Sequence, residues 1–80
     1  MTGKEILSLV QEVFEDTLDN DELQIDESTK ATDVDEWDSL THIMLVVAIE
    51  KKFNIRFNSS EIQGWNNVGE MIYCIQDKCL

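Results

Sequence analysis

The sequence predicts an all-α fold, a small bundle of three long helices and one short helix, with a long loop after the first helix. Apolar residues recur at helical spacing in three separate segments. A residue type that caps helices precedes each of these segments, and the chain has no proline to interrupt them. Its 80 residues suffice for one small hydrophobic core, so we expect residues 1–80 to form a single domain.

The first helix is predicted over residues 3–18. Thr2 at the N-cap and Glu5 three residues later have the form of a capping box. The apolar residues of this segment share one half of the helical wheel: Ile6, Leu7, Leu9, Val10, Val13, Phe14 and Leu18. We therefore expect an amphipathic helix that buries one face.

Residues 19–37 are interpreted as a long loop because they are rich in Asp, Glu, Asn, Ser and Thr. The isolated apolar residues expected to anchor this loop to the core are Leu23, Ile25, Val34 and Trp37. Structureless loops of this length are uncommon in compact domains, and they are often functional.

The second helix is predicted over residues 39–53, with Asp38 at its N-cap. One apolar stripe contains Leu45, Val46, Ile49 and Phe53, with His42 among them. A second stripe on the opposite side contains Leu40, Ile43, Met44, Val47 and Ala48. Because so short a chain cannot easily bury a helix on all sides, we expect the second stripe to be a docking surface rather than additional core.

The last part of the chain is predicted to contain a short helix and a long one. Ser59 or Ser60 caps the short helix, which Gly64 ends. Asn67 caps the last helix. The apolar stripe of that last helix contains Val68, Met71, Ile72, Ile75 and Cys79.

The net charge of −11 is concentrated in the first half of the chain. Of the 17 acidic residues, 13 lie within residues 5–38, with Lys30 as the one base among them. This charge argues against binding nucleic acid or an anionic membrane surface and favours partners with basic patches. Because crowded like charges raise carboxylate pKa values, we expect mild acid to relieve the repulsion in this segment.

The sequence also bears on the cellular compartment. There is no run of about 18 apolar residues, so no membrane insertion is expected, and no signal peptide is visible. Cys74 and Cys79 lack the spacing of a metal or redox motif. Free cysteines are typical of a reducing compartment, and we expect the protein in the cytoplasm.

The sequence predicts neither a metal site nor a catalytic residue. Calcium-loop frames that begin at Asp19 or Asp33 lack the required glycine and the final glutamate. Ser39 and His42 lie three residues apart on the second helix, but no orienting acid, oxyanion hole or nucleophile elbow accompanies them. We therefore interpret His42 as an inner-face or boundary residue of that helix.

Ser39 stands at the start of the second helix, directly after the long loop and beside the second apolar stripe. A phosphate linked to its hydroxyl would face the free N–H groups and the positive end of the helix. Serine is also a common residue at exposed helix starts. The physics of this position leaves a modified serine and an ordinary one equally open.

The order of several short motifs resembles a known family. Asp-Ser-Leu at 38–40 follows a long acidic loop and opens a helix that ends in Ile-Glu-Lys-Lys-Phe at 49–53. Phe-Asn-Ile at 53–55 comes after this helix, and Val-Gly-Glu at 68–70 opens the last one. With this layout, length and charge, the chain resembles the acyl carrier protein family over essentially its whole length, which implies a four-helix carrier-protein bundle.

The resemblance implies a carrier, not an enzyme, that holds acyl groups as thioesters and presents them to partner enzymes. A phosphopantetheinyl transferase would use coenzyme A and magnesium to attach 4′-phosphopantetheine to Ser39, while Asp38 caps the helix and helps that transferase to place its metal. The implied partners are this transferase and the enzymes that load and use the acyl group, and we expect the carrier to be a monomer. The expected docking residues are Leu40, Thr41, Ile43, Met44 and Val47.

Three features depart from the usual pattern of fatty-acid carriers. Asp-Glu-Trp at 35–37 replaces a small, glycine-containing stretch, Thr41 replaces an acid, and Lys51 and Lys52 make the second helix less acidic. We therefore expect a specialised carrier for a dedicated pathway such as polyketide, modified-sugar or surface-polymer assembly. An aminoacyl or peptidyl carrier and an acidic adaptor that is unmodified at Ser39 are the alternatives.

Overall fold

A computed structural model describes residues 2–79. Over this range the chain forms α1 (Gly3–Leu18), α2 (Ser39–Phe53), α3 (Ser59–Gly64) and α4 (Val68–Lys78), with one turn of 3₁₀ helix (Ala31–Asp33) in the first loop. No strand occurs among these residues, and the predicted all-α bundle is confirmed. The predicted domain also includes Met1 and Leu80, which lie outside the described residues. None of the described helices is long and apolar enough to cross a membrane.

Side-chain caps set the starts of the long helices where the sequence predicts them. The Thr2 hydroxyl accepts from the Glu5 N–H at 3.2 Å, and the Glu5 carboxylate accepts from the Thr2 N–H at 3.0 Å. Asn67 caps α4 by accepting from the Glu70 N–H at 2.9 Å. Each cap satisfies N–H groups that the first helical turn leaves without a partner.

The cap of α3 differs from the prediction, because Asn58 rather than Ser59 or Ser60 precedes the first turn. The Asn58 side chain accepts from the Glu61 N–H at 2.8 Å, and the Glu61 carboxylate accepts from the Asn58 N–H at 2.9 Å. This reciprocal pair satisfies two N–H groups at once. The helix therefore starts at Ser59.

Glu61 also ties α3 to α4. Its carboxylate pairs with the Lys78 ammonium at 3.0 Å and accepts from the Cys74 thiol at 3.3 Å. The Asn58 backbone and Lys78 hold the pKa of Glu61 below its usual value, whereas burial raises the pKa of the Cys74 thiol. Cys74 is therefore a protonated donor in a structural contact and not a reactive thiolate.

The hydrophobic core lies where α1 packs against α2 and α4. Its fully buried large side chains are Ile6, Val10, Phe14, Leu45, Ile49, Val68, Met71 and Ile75. The predicted stripe of α4 is buried except at Cys79, which is exposed. That part of the prediction is wrong because α4 ends at Lys78, and Cys79 follows as its C-cap.

The long first loop is held against α1. Ile25, Val34 and Trp37 are buried as predicted, and Leu23 is half-buried against the core. The Gln11 side chain of α1 accepts from the Ile25 N–H at 2.9 Å and donates to the Leu23 carbonyl oxygen. The loop is therefore anchored through backbone hydrogen bonds as well as through its apolar side chains.

The same loop crosses the N-terminus of α4. The Glu27 and Thr29 carbonyl oxygens accept from the N–H groups of Gly69 at 2.8 Å and Val68 at 2.9 Å. These are N–H groups that the first turn of α4 cannot satisfy internally. A Cβ at Gly69 would lie 2.9 Å from the Glu27 carbonyl oxygen, so the close crossing requires glycine at this position.

The two sides of α2 have different surroundings. The inner face, Leu45, Val46 and Ile49, is buried. The outer face consists of Leu40, Ile43, Met44 and Val47, which are 71%, 54%, 47% and 43% exposed. Ala48, assigned to the second stripe from the sequence, is instead half-buried and packs against the core, because it lies on the side of α2 that borders α1.

Candidate attachment site and docking face

Ser39 is the first residue of α2, and its side chain is exposed. The buried Trp37 anchors the end of the loop two residues earlier, and Asp38 is the N-cap. In the described part of the chain, none of the hydrogen bonds at this helix start involves the Ser39 hydroxyl. The hydroxyl is therefore accessible to a modifying enzyme and carries no structural role.

Asp38 occupies the N–H groups at the start of α2. Its Oδ1 accepts from the N–H groups of Leu40 at 3.0 Å and Thr41 at 2.9 Å, and its carbonyl oxygen accepts from the His42 N–H at 2.8 Å. The expectation that a phosphate on Ser39 would face free N–H groups is therefore wrong at these positions. The Asp38 carboxylate already accepts from both N–H groups, so a phosphate on Ser39 would find neither of them free.

Thr41 completes this cap from the other side. Its hydroxyl accepts from the Asp38 N–H at 2.7 Å and donates to the Glu36 carbonyl oxygen at 2.8 Å. Hydrogen bonds, chiefly from the Thr41 N–H, hold the pKa of Asp38 below its usual value. The side chain of Thr41, expected on the docking surface, is thus half-buried and bonded to the loop end, where it helps to hold Ser39 in one position.

A chain of aromatic side chains runs beside Ser39. The Trp37 Nε1–H donates to His42 Nδ1 at 3.0 Å, and His42 Nε2 lies 3.3 Å from the Ile62 carbonyl oxygen of α3. The rings of Trp37 and His42 stack with their centroids 5.9 Å apart. The Trp37 ring also packs edge to face against Phe14, with the ring centroids 5.0 Å apart. Because Nδ1 accepts, we assign the proton of the neutral ring to Nε2.

The hydrogen bonds of His42 decide whether Ser39 and His42 could act as a nucleophile and its base. Both ring nitrogens of His42 have partners, Trp37 on one side and Ile62 on the other. Neither nitrogen is therefore free to take a proton from the Ser39 hydroxyl, as a general base must do. His42 is the half-buried boundary residue that the sequence predicts, and it links the loop to α3.

A cleft of about 660 Å³ opens between the start of α2 and α3. Ser39 and His42 line one side, and Ile62 and Trp65 line the other. Trp65 packs edge to face on Phe57 at 4.8 Å. Trp65 was not singled out from the sequence, although a tryptophan between two short polar stretches is a usable signal for a lining residue.

The outer face of α2 begins immediately after Ser39. Its four large apolar side chains follow one another at helical spacing and are exposed to solvent. Contiguous exposed apolar surface of this kind is typical of protein interaction sites. Among residues 2–79, no group of His, Cys, Asp and Glu side chains could hold a metal ion.

Comparison with known proteins identifies the family to which the chain belongs. Residues 6–75 match the family model described as the phosphopantetheine attachment site. The chain belongs to this family. An acyl carrier protein of Thermotoga maritima is 29% identical over 75 residues, which cover 94% of this chain and 93% of that protein.

A solved structure agrees with the family match. The solution structure of a holo acyl carrier protein from Geobacter metallireducens has a TM-score of 0.85 and 33% sequence identity, covering 90% of this chain and 83% of that one. This chain is therefore a member of the acyl carrier protein family, a carrier and not an enzyme. The cofactor of the family is covalently attached phosphopantetheine. The exposed Ser39 hydroxyl, which forms no hydrogen bond within the described residues, is compatible with such an attachment.

Proposed function

We propose that this protein carries acyl groups as thioesters on a 4′-phosphopantetheine arm attached to Ser39, and that it presents them to the enzymes of a dedicated biosynthetic pathway. The observation that carries the proposal is the exposed Ser39 hydroxyl at the start of α2, next to the outer face. When attached, the arm supplies a terminal thiol that forms the thioester. The chain itself positions the attachment point and offers a surface to partners.

Three groups around Ser39 have distinct parts in this function. Asp38 stays ionised because its pKa is lowered, and we assign it a further part in placing the magnesium ion of the transferase. Trp37 and His42 fix the loop end against α2, so Ser39 is presented from a rigid start of the helix. Leu40 stands next to Ser39 as the most exposed residue of the outer face and is the first docking contact.

Loading requires a phosphopantetheinyl transferase as the first partner. The Ser39 oxygen would form a phosphodiester bond with the phosphopantetheine phosphate of coenzyme A, and adenosine 3′,5′-bisphosphate would leave. The hydroxyl proton passes to a base of the transferase, since both ring nitrogens of His42, which lines the same cleft as Ser39, already have partners. The further partners are the enzymes that load and use the acyl group.

Intact mass spectrometry tests the attachment. The chain is incubated with coenzyme A, magnesium and a broad-specificity phosphopantetheinyl transferase, and we expect a gain of one phosphopantetheine. Ser39→Ala should abolish loading completely and change the free energy of unfolding by less than about 1 kcal/mol. Thr41→Ser is the matched control, because it keeps a hydroxyl two residues away and should load normally. A gain in mass by Ser39→Ala would show that another residue is the site.

The cargo is tested on the loaded protein. Incubation with candidate acyl-activating or aminoacyl-activating enzymes, followed by mass spectrometry, distinguishes an acyl carrier from an aminoacyl or peptidyl carrier. A protein that no broad-specificity transferase loads would instead be an unmodified adaptor. The free Cys74 and Cys79 thiols among the described residues support a reducing compartment, and we propose the cytoplasm as the place of action.

A further inference from the structure

The cleft beside Ser39 has an aromatic floor, formed by Trp37 and His42. The buried Trp37 and the half-buried His42 both line the cleft, and their rings are nearly parallel, with 21° between the planes. Trp65, directly after α3, meets His42 edge to face with the ring centroids 6.0 Å apart. An acyl chain that extends from Ser39 into the cleft therefore meets aromatic rings.

The hydrophobic core begins directly behind this floor. Trp37 packs edge to face against Phe14, with the ring centroids 5.0 Å apart, and Phe14 is fully buried. Trp37 thus has the cleft on one side and the core on the other. A long apolar chain attached at Ser39 would have to pass Trp37 and His42 to reach the core from this cleft.

Two hydrogen bonds tie the floor to both sides of the cleft. The Trp37 Nε1–H donates to His42 Nδ1 at 3.0 Å, and His42 Nε2 lies 3.3 Å from the Ile62 carbonyl oxygen of α3. Passage of a chain would break both bonds and leave polar groups without partners in an apolar environment, which is costly. A saturated chain has neither donor nor acceptor, so it could not replace the bonds that it breaks.

The cleft itself does not replace the core as a shelter for a long chain. Its rim includes the side chains of Ile43, Gln63 and Asn66, and all three are exposed to solvent. A chain that lies against the floor therefore stays in contact with water on its open side. Because stabilisation by apolar groups depends on the area removed from water, each further carbon gains little there.

We propose, building on the carrier function above, that Trp37 and His42 are specificity-determining residues, which keep the acyl group in the open cleft and out of the core. The cargo of this carrier is accordingly a short acyl group. A long saturated chain would remain largely in water, and the bundle would not protect it. The floor thereby favours a dedicated pathway with short acyl intermediates over one that elongates a long saturated chain.

A series of loaded proteins tests this proposal. The transferase attaches acetyl-, butanoyl-, octanoyl- and dodecanoyl-phosphopantetheine from the corresponding coenzyme A thioesters, and intact mass confirms each product. Burial of the longer chains in the core would raise the melting temperature with chain length. We expect the melting temperatures of the acetyl and dodecanoyl forms to agree within about 2 °C, as measured by circular dichroism.

Cleavage of the thioester by hydroxylamine gives a second readout. A chain held in the core would draw its thioester away from water, whereas a chain in the open cleft leaves the thioester accessible. Each rate is divided by that of the matching coenzyme A thioester, which removes the intrinsic reactivity of the acyl group. We expect this ratio to differ by less than about twofold between the acetyl and dodecanoyl forms.

Substitutions in the floor show whether it is the cause. His42→Ala removes both hydrogen bonds and opens a gap beside Trp37, so the melting temperature should rise by more than about 4 °C from the acetyl to the dodecanoyl form. Trp37→Phe keeps a ring against Phe14 but lacks the N–H donor, and it should also rise, which provides a second test if His42→Ala does not fold. His42→Gln retains one acceptor and one donor and should show no dependence on chain length.

Ile75→Ala is the matched control for a loosened bundle. Ile75 is fully buried on α4, so its truncation leaves a cavity in the core while the floor stays closed. We expect the melting temperature of this variant to be independent of chain length. A rise equal to that of His42→Ala would assign the effect to general loosening and overturn the role of the floor.

Other outcomes separate this inference from the function on which it rests. A melting temperature that rises with chain length in the unmodified sequence would show that the core takes up the chain, and the proposal would be wrong although the carrier function stands. Profiles that stay flat in both His42→Ala and Trp37→Phe would show that the floor does not exclude the chain. Failure to load any acyl-phosphopantetheine would instead overturn the attachment at Ser39, and this inference with it.

Discussion

The inner and outer faces of α2 contain similar amounts of apolar side chain, but they meet different surroundings. The inner face is covered by the rest of the bundle, with Leu45 and Ile49 fully buried. The outer face exposes four large apolar residues next to Ser39. Solvent-exposed leucine, isoleucine, methionine and valine contribute little to folding, so the outer face indicates an interaction rather than a stability requirement.

The largest expected contrast is between truncations on the two faces. Ile49→Ala should lower the free energy of unfolding by about 2–4 kcal/mol, because it leaves a cavity in the core. Val47→Ala and Met44→Ala should change it by less than about 0.5 kcal/mol, since these side chains are exposed. Urea titrations followed by circular dichroism measure both. Equal losses for the two faces would mean that α2 is buried on both sides.

An intermediate effect is expected at the boundary between the faces. His42→Ala removes the acceptor of the Trp37 Nε1–H and the donor to the Ile62 carbonyl oxygen. We expect a loss of about 1–3 kcal/mol, because buried polar groups lose their partners, and a change in tryptophan fluorescence. His42→Phe keeps an aromatic ring against Trp37 without these hydrogen bonds. If this variant were as stable as the unmodified chain, packing alone would explain the role of His42.

The smallest expected effect is the response to acid. The sequence predicts raised carboxylate pKa values from crowding, but hydrogen bonds lower the pKa of Glu5, Asp26 and Asp38 in the folded chain. A lowered folded-state pKa contributes stability that is present above the unfolded value, near 4, and is lost as the pH falls through the folded value. The expected relief by mild acid is therefore wrong in sign for these groups.

Thermal melts between about pH 6 and pH 2 check this sign. The melting temperature should fall as the pH drops below about 4, where carboxylates begin to protonate. Asp26→Asn, which removes one of the affected carboxylates, should show a shallower fall at the acid end. A melting temperature that rises on acidification would instead support repulsion among the acidic residues as the dominant effect.

Much of the fold follows from local sequence signals. The bounds of α1 and α2 agree with the predicted residues 3–18 and 39–53, because each start depends on a cap within three residues of the helix. The two-sided pattern of α2 predicts an exposed apolar stripe, and the four residues of the outer face are exposed. Helical periodicity and capping involve neighbours within one or two turns, so they can be read without knowing the tertiary structure.

Other features depend on contacts between distant segments. The link from Trp37 through His42 to Ile62, and the bonds from Glu27 and Thr29 to the start of α4, join residues far apart in the sequence. No local pattern shows which carbonyl oxygen a side chain will meet. The sequence by itself determined the helices, the candidate Ser39 and the two faces of α2. The tertiary structure decided how far the covered side of α2 extends, since Ala48 of the predicted docking stripe packs against the core. The physical reason is that burial depends on what the other helices pack against.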